Sequence, residues 1–443
     1  RNKDNKMIII EPFKGFPADK AGLKSGDEII KIGEITLLDN EGDASELLKG
    51  AANSKVKITY LRQGKTETTT LTRGAIDVHA VPFFQLINDD IGYIVLSKFN
   101  RKTTTETKAA LEDLKLQGAT KIILDLRGNP GGLLTEAINV VNLFVPKGAT
   151  IVTTKSAIKK YNKTYKTQKP AFDTEIPLVV LVNGRSASAS EIVSGGLQDL
   201  DRAVIIGARS FGKGLVQRPK KLTYGTQLKV TISRYYTPSG RCIQALDYWN
   251  RDENGDPVRV AIKEYNSFKT KGGRTVYDGG GIVPDIELKS GKFSPITTAL
   301  LKDQAIFDYA TNYYYTHKVE DWNSFSFSNS DFQDFLQFLK MNNFEYETES
   351  EKLFSEALRK SEDEHLQKEI SSSYNQLMIA VDNAKEKALV EKKEEIINLL
   401  SDEILKRYFY RDGMYRYHLS HSPEILEAVS VLNNESRYRK ILK

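Results

Sequence analysis

The chain has 443 residues, with 64 lysines and arginines against 58 aspartates and glutamates, a net charge of +6 and a mean hydropathy of −0.42. That length holds two or three domains, and no run approaches the roughly 18 apolar residues of a membrane span. Lysines and acids interleave, as in Glu386-Lys-Ala-Leu-Val-Glu-Lys-Lys-Glu-Glu, and no basic stripe carries aromatics, which excludes nucleic acid as the partner. The single Cys242 rules out an internal disulfide and a cysteine-based metal site. The chain opens at Arg1 with no signal sequence, so it reads as a piece of a longer protein, with room for a targeting segment or membrane anchor upstream.

Residues 1–73 read as short strands around a small helix. The strands are Met7-Ile-Ile-Ile, Glu28-Ile-Ile-Lys-Ile and Lys55-Val-Lys-Ile-Thr-Tyr-Leu, with turns at Lys14-Gly, Ser25-Gly-Asp and Gln63-Gly. The stretch Glu11-Pro-Phe-Lys-Gly-Phe-Pro-Ala-Asp-Lys-Ala-Gly-Leu-Lys-Ser-Gly-Asp-Glu-Ile-Ile-Lys-Ile-Gly resembles the PDZ domains of bacterial processing proteases. The resemblance implies a module that adds an extended peptide at a sheet edge and holds its terminal carboxylate in a backbone nest. Because the chain begins just before the first strand, the carboxylate-binding loop is expected to be absent or not locatable, and the N-terminal part of the domain to be missing. Arg73 to His79 is the natural hinge to the next domain.

Residues 74–290 alternate strands and helices, the pattern of an α/β layer structure. A strand at Asp90-Ile-Gly-Tyr-Ile-Val-Leu is followed by a helix from Thr104 to Leu116. The strand Lys121-Ile-Ile-Leu-Asp-Leu then runs into Arg-Gly-Asn-Pro-Gly-Gly and a helix from about Leu133 to Leu143. A glycine-rich turn before a helix presents backbone N–H groups. It lacks the Gly-Lys-Ser/Thr ending of a phosphate-binding loop, so Gly131 or Gly132 is expected to serve as an oxyanion donor.

The strand Pro177-Leu-Val-Val-Leu-Val-Asn feeds a turn holding Ser186, Ser188 and Ser190. Ser188-Ala-Ser-Glu191 fits a capping box for a helix from Ala189 to Leu200, so Ser188 is a helix cap, a nucleophile, or both. As a nucleophile it would have the Ala189 N–H as a second oxyanion donor; Ser186 and Ser190 remain alternatives. Phe211-Gly-Lys-Gly-Leu-Val-Gln217 enters a strand that puts 213, 215 and 217 on one face. Gln217 there could orient the Lys213 amine. The five histidines stand at 79, 317, 365, 418 and 421. Hydrolytic chemistry between residues 80 and 316 would therefore rest on a serine and a desolvated neutral lysine.

Residues 291–443 carry Glu, Lys, Leu and aromatics at helical spacing. Ser330-Asp-Phe-Gln333 reads as a capping box opening a helix at Asp331. Ser422-Pro423 supplies an N-cap with proline at the first helical position. Apolar residues at 353, 354, 358 and 366, then 377, 380 and 381, fit amphipathic helices.

With Leu124-Asp-Leu-Arg-Gly-Asn-Pro-Gly-Gly, Ser186-Ala-Ser-Ala-Ser-Glu-Ile, Phe211-Gly-Lys-Gly-Leu-Val-Gln, Ser233-Arg-Tyr-Tyr-Thr-Pro-Ser-Gly-Arg and Gly279-Gly-Gly-Ile-Val-Pro-Asp285, the chain resembles the C-terminal processing (tail-specific) serine peptidases over about residues 5–290. The helical zone is similar to appendages of members from Bacteroides-group bacteria. The resemblance implies a multidomain α/β protein: a PDZ-like β domain, a crotonase/ClpP-like α/β protease core and a C-terminal helical appendage. It implies Ser188 as nucleophile, Lys213 as base, Gln217 as third member and Asp199 as a supporting acid. It implies no metal or cofactor, a protein or peptide C-terminus as substrate, the periplasm or cell envelope as compartment, and leaves a homo-oligomer open. The rival readings are a peptide-binding scaffold with an inactive or latent protease core, and an acyl-CoA enzyme of the crotonase superfamily.

Overall fold

The computed structural model describes residues 6–37, 44–253, 255–288 and 293–443. The chain divides into two compact units, 1–77 with 291–417 and 78–290 with 418–443.

In the first unit, Glu28–Ile32 pairs antiparallel with Met7–Ile8, Ile35–Thr36 and Lys55–Arg62, and Lys55–Arg62 pairs with Lys65–Thr72. Alternation along Lys55–Arg62 buries Val56, Ile58 and Tyr60, as a half-buried strand requires. The polar Lys65–Thr72 was not evident from hydrophobic pattern; only the Gln63-Gly64 turn, with both φ angles positive, signals the hairpin. Arg62 holds the Ser25-Gly-Asp turn by two hydrogen bonds to buried Asp27, at 2.7 and 2.6 Å. Any carboxylate loop before Met7 lies outside the described residues. Arg73, expected at a hinge, is fixed to this unit through the Leu47 and Leu48 carbonyls, and the boundary falls after Asp77.

The helices of the same unit gather Tyr309, Tyr313, Phe325, Phe327, Phe332, Phe335, Ile396, Leu400 and Ile404 into one aromatic-aliphatic core. The capping box is shifted by two residues from its expected place. Asp331 N–H donates to Ser328 Oγ at 3.1 Å and Ser328 N–H to Asp331 Oδ2 at 2.7 Å, opening the helix Asn329–Met341. That start sets Phe332, Phe335 and Leu339 on one buried stripe, and an aspartate at the third position accepts as a glutamine would. The helix Gln367–Glu391 buries no residue, so the apolar positions 377, 380 and 381 do not form a packed stripe. Arg411 closes on Glu11 through a two-pronged pair and Tyr410 donates to Asp19, joining the later helices to the segment around the short helix Pro17–Lys20 within this unit.

The second unit is built on a six-stranded sheet in the order Ile286–Glu287, Val204–Gly207, Leu178–Val182, Lys121–Asp125, Ile91–Val95, Phe83–Ile87. All neighbours are parallel except the last pair. Helices Thr103–Leu116, Leu134–Phe144 and Ala189–Asp199 follow successive strands, the crossover pattern of parallel sheets. Both faces are covered, which explains the unbroken apolar run Leu178-Val-Val-Leu-Val. A second sheet orders Lys163–Lys166, Thr150–Lys155, Gln227–Tyr236 and Leu215–Lys221.

The helix Pro423–Leu432, expected in the helical zone, packs against Lys121–Asp125, Leu178–Val182 and Val204–Gly207. Ser422 is its N-cap residue and Pro423 opens it, as expected.

Candidate active site

The turns that carry Gly132, Ser188 and Lys213 follow the carboxyl ends of the parallel strands Lys121–Asp125, Leu178–Val182 and Val204–Gly207, where turns expose backbone N–H groups. The second sheet adds Leu215, Val216 and Gln217 to the cleft that Ser188 lines. The turn after Leu178–Val182 delivers Ser188 at φ 56°, ψ −110°, a conformation that costs a non-glycine residue on the order of 1–3 kcal/mol. Neighbouring bonds hold it there. Ala187 N–H donates to Asn129 O at 3.0 Å and Ser188 N–H to Glu191 Oε2 at 2.8 Å, which supplies the glutamate half of the expected capping box.

Burial separates the three serines. Ser186 and Ser190 are fully enclosed, their hydroxyls donating to Leu126 O at 2.8 Å and Asn129 O at 2.9 Å. Ser188 is half-buried and lines a cleft of about 300 Å³ with Gly132, Ala189, Lys213 and Gln217. Leu133, Leu134, Ile192, Leu215 and Val216 give that cleft apolar walls.

The two glycines have different tasks. Gly131 N–H is taken by Asn129 Oδ1 at 2.8 Å, so Gly131 is not the donor foreseen for it. Its φ of 97° and missing Cβ allow close approach instead, because a methyl there would meet Ala187 O at 2.6 Å and Ala189 N at 2.9 Å. Gly132 is exposed in the cleft at φ 150°, and its Cβ would strike Phe99 O at 2.1 Å. Among the described residues no hydrogen bond takes the N–H of Gly132 or Ala189.

Lys213 follows Gly212, whose φ of 87° and close contact with Ala245 exclude a side chain. The lysine is half-buried, and among the described residues it shares the cleft with Ser188 without a hydrogen bond between them. Gln217 lines the cleft but does not orient Lys213. The strand register shifts between Val216 and Gln217, setting Gln217 opposite Thr231, and its amide donates to Thr231 Oγ1 at 3.5 Å.

Glu191, seen in the sequence only as a capping residue, ties the two loops together. Its Oε2 accepts the N–H groups of both Ser188, at 2.8 Å, and Lys213, at 2.9 Å. Oε1 accepts Gly212 N–H at 2.6 Å and Ser210 Oγ at 2.5 Å. Burial pushes this carboxyl above the usual carboxylate range, and the converging donors pull it back. The Tyr235 hydroxyl donates to the carbonyls of Lys213 and Ser188. Burial, with Glu191 nearby, holds its phenol well above the ordinary value, so it stays a donor. The one sequence signal was a charged residue inside the small and apolar run Ala-Ser-Glu-Ile-Val.

Asp199 lies at the far end of the Ser188 helix, roughly 15 Å along it at 1.5 Å per residue. It pairs with Arg241 at 2.7 Å, both side chains fully buried, and accepts Ser239 N–H at 3.0 Å. This is support for the Thr237-Pro-Ser-Gly-Arg turn, away from the cleft. Asp199→Ala leaves Arg241 uncompensated, and chemical denaturation is expected to show a loss of about 3–5 kcal/mol; a change below about 1 kcal/mol would contradict the buried-pair account.

Residues 90–248 match the family model described as Peptidase family S41, residues 1–72 that of the PDZ domain, and residues 296–432 that of the probable PDZ-protease C-terminal helical domain. The chain is 38% identical over 245 residues to the carboxy-terminal processing protease CtpA of Bacillus subtilis (strain 168), over 54% of this chain and 52% of that protein. It is 34% identical over 250 residues to the chloroplastic C-terminal processing peptidase of Tetradesmus obliquus, over 53% of each. Among solved structures, the photosystem II D1 C-terminal processing protease is similar at 29% identity and a TM-score of 0.37, over 64% of this chain and 68% of that one. The chain spans about half the length of the curated relatives it matches.

Proposed function

Residues 90–248 belong to peptidase family S41, between a PDZ domain and a helical domain, and from that premise we propose that the chain is a serine endopeptidase that cuts protein substrates near their C-termini. The observation that carries the reading is that Ser188, Lys213, Gly132 and Ala189 line one apolar-walled cleft, with no hydrogen bond among the described residues taking the Gly132 or Ala189 N–H. In the proposed reaction the neutral Lys213 amine takes the Ser188 proton while Oγ bonds to the scissile carbonyl carbon. The Gly132 and Ala189 N–H groups receive the oxyanion. Lys213 then returns the proton to the departing amine, and the acyl group on Ser188 is released by a water that Lys213 deprotonates.

The strain at Ser188 and the Glu191 and Tyr235 bonds supply preorganisation, since the nucleophile and base loops are fixed to the same two side chains. Gln217 enters this reaction only if substrate draws its amide from Thr231. The PDZ domain recruits the substrate tail in this reading. The periplasm or cell envelope is the proposed compartment, a reading that family likeness supports; no described helix is long and apolar enough to cross a membrane.

A latent protease is a second reading, favoured by the absence, among the described residues, of a hydrogen bond between the Ser188 and Lys213 side chains; activation would then consist of Lys213 closing on Ser188. Cleavage of an unstructured protein tail by wild type and by Ser188→Ala tests the proposal: loss in the variant supports it, and retained cleavage overturns it.

A further inference from the structure

We propose that residues 418–443 are a positioning element of the catalytic unit, setting the oxyanion turn through Glu424 and Ser422 acting on Arg127. The inference rests on the reading of Gly132 as an oxyanion donor.

Arg127 sits two residues beyond the end of the strand Lys121–Asp125, at the start of the turn that ends in Gly132. Its Nε and Nη2 donate to Asp125, the latter at 2.6 Å, and Tyr93 donates to the same carboxylate at 2.6 Å. That leaves Nη1, which reaches Ser422 Oγ at 2.7 Å and Glu424 Oε2 at 2.9 Å. Ser422 also donates to Glu424 at 2.8 Å, so the three groups close a ring at the first turn of the helix Pro423–Leu432. Two residues further along, Asn129 holds Gly131 N–H, Ala187 N–H and the Ser190 hydroxyl. Through Asn129, a displacement of Arg127 is expected to reach Gly131, next to Gly132, and Ala187, two residues before Ala189.

The same segment covers the second face of the sheet. Alternate strand residues point to opposite faces. Ile122, Leu124, Leu178, Val180 and Ile205 belong to the main core cluster, whereas Ile123, Val179, Leu181, Val204 and Ile206 are equally buried on the other side. The helix Pro423–Leu432 packs there with Ile425, Ala428, Val431 and Leu432 buried. Tyr438 adds a bond at the root of the nucleophile strand, its hydroxyl accepting Leu178 N–H at 3.0 Å. The sheet that carries the site is thus completed by chain lying well beyond the peptidase match at 90–248.

The test uses the full chain with Glu424→Ala, Glu424→Gln and Tyr438→Phe, an apolar-ended peptide substrate, and the corresponding peptide aldehyde and alcohol. The aldehyde forms a tetrahedral adduct with Ser188, and the alcohol cannot. Glu424→Ala is expected to lower kcat about tenfold to a hundredfold, the cost of a small misplacement, with KM within about twofold and aldehyde affinity falling in parallel. Alcohol affinity should stay constant, and Glu424→Gln should recover part of the loss by keeping the hydrogen bonds. Tyr438→Phe, which removes the hydroxyl that meets Leu178, should lower the melting temperature. Wild-type kcat in Glu424→Ala, or loss of aldehyde and alcohol binding by the same factor, would overturn the proposal. If Glu424→Ala fails to fold, the same split read in Glu424→Gln decides. Cleavage retained in Ser188→Ala would instead refute the serine-peptidase reading and leave the brace without a reaction to serve.

Discussion

Lys213→Ala is expected to lower kcat for tail cleavage by about 10⁴-fold or more, matching Ser188→Ala, with no loss of thermal stability. The reasoning is structural and chemical together. Ser188 alone of the three serines in its turn opens on the cleft, and a hydroxyl is a weak nucleophile until a base removes its proton. Among the described residues, Lys213 is the only titratable base besides Lys229 and the phenol of Tyr235 to line that cleft. Tyr235 is committed to the carbonyls of Lys213 and Ser188. The double variant should be no worse than either single one, because residues that act as a unit are not additive. A Lys213→Ala enzyme within about tenfold of wild type would assign the proton transfer elsewhere, and Lys229→Ala would then be the first variant to examine.

Glu191→Gln is expected to produce the second largest effect, about a hundredfold in kcat. A glutamine has the same shape, but its amide turns an NH₂ group toward N–H and O–H donors. At least one of the pairs on Oε1 or Oε2 is lost, and with it the shared anchor of Ser188 and Lys213. Glu191→Ala strands all four donors in a buried site and should cost roughly 3 kcal/mol or more of stability. The pH dependence carries a sign of its own. Burial raises the folded-state value above that of an unfolded glutamate, so protonation favours the fold. Stability from this group is full below the unfolded value and is lost as pH rises through the folded one. Activity runs the other way, because only the carboxylate accepts all four donors. The wild-type rate should therefore fall on acidification at a pH above the ordinary carboxylate range, with the fold intact. Glu191→Gln should lack that acid limb; an unchanged limb in the variant would assign the titration to another group.

Local chemistry was legible in the sequence wherever a turn residue had to do something a side chain prevents. Gly131, Gly132 and Gly212 are such positions, and the parallel strands announced themselves as unbroken apolar runs because both their faces are buried. What could not be read was the hydrogen bonding that decides between equivalent neighbours. Ser186 and Ser190 differ from Ser188 in being fully enclosed, with their hydroxyls donating to the Leu126 and Asn129 carbonyls. Gly131 fails as a donor only because Asn129 turns its amide oxygen back onto it. Gln217 was placed by strand alternation, and a register shift against the partner strand sends its amide to Thr231. Glu191 looked like a local cap because helix capping acts over three residues, whereas its carboxylate also reaches across 22 residues to Lys213. The docking of residues 418–443 on the sheet depends on contacts such as Tyr438 to Leu178, 260 residues apart, which no pattern within a window contains.

The most direct measurement is to trap the acyl-enzyme with a slowly released peptide ester and locate the modified residue by peptide mass spectrometry. The account predicts one adduct, on Ser188, formed by the wild type and absent from Ser188→Ala and Lys213→Ala. An adduct on Ser186 or Ser190, or hydrolysis that proceeds at full rate with no serine modified, would contradict it.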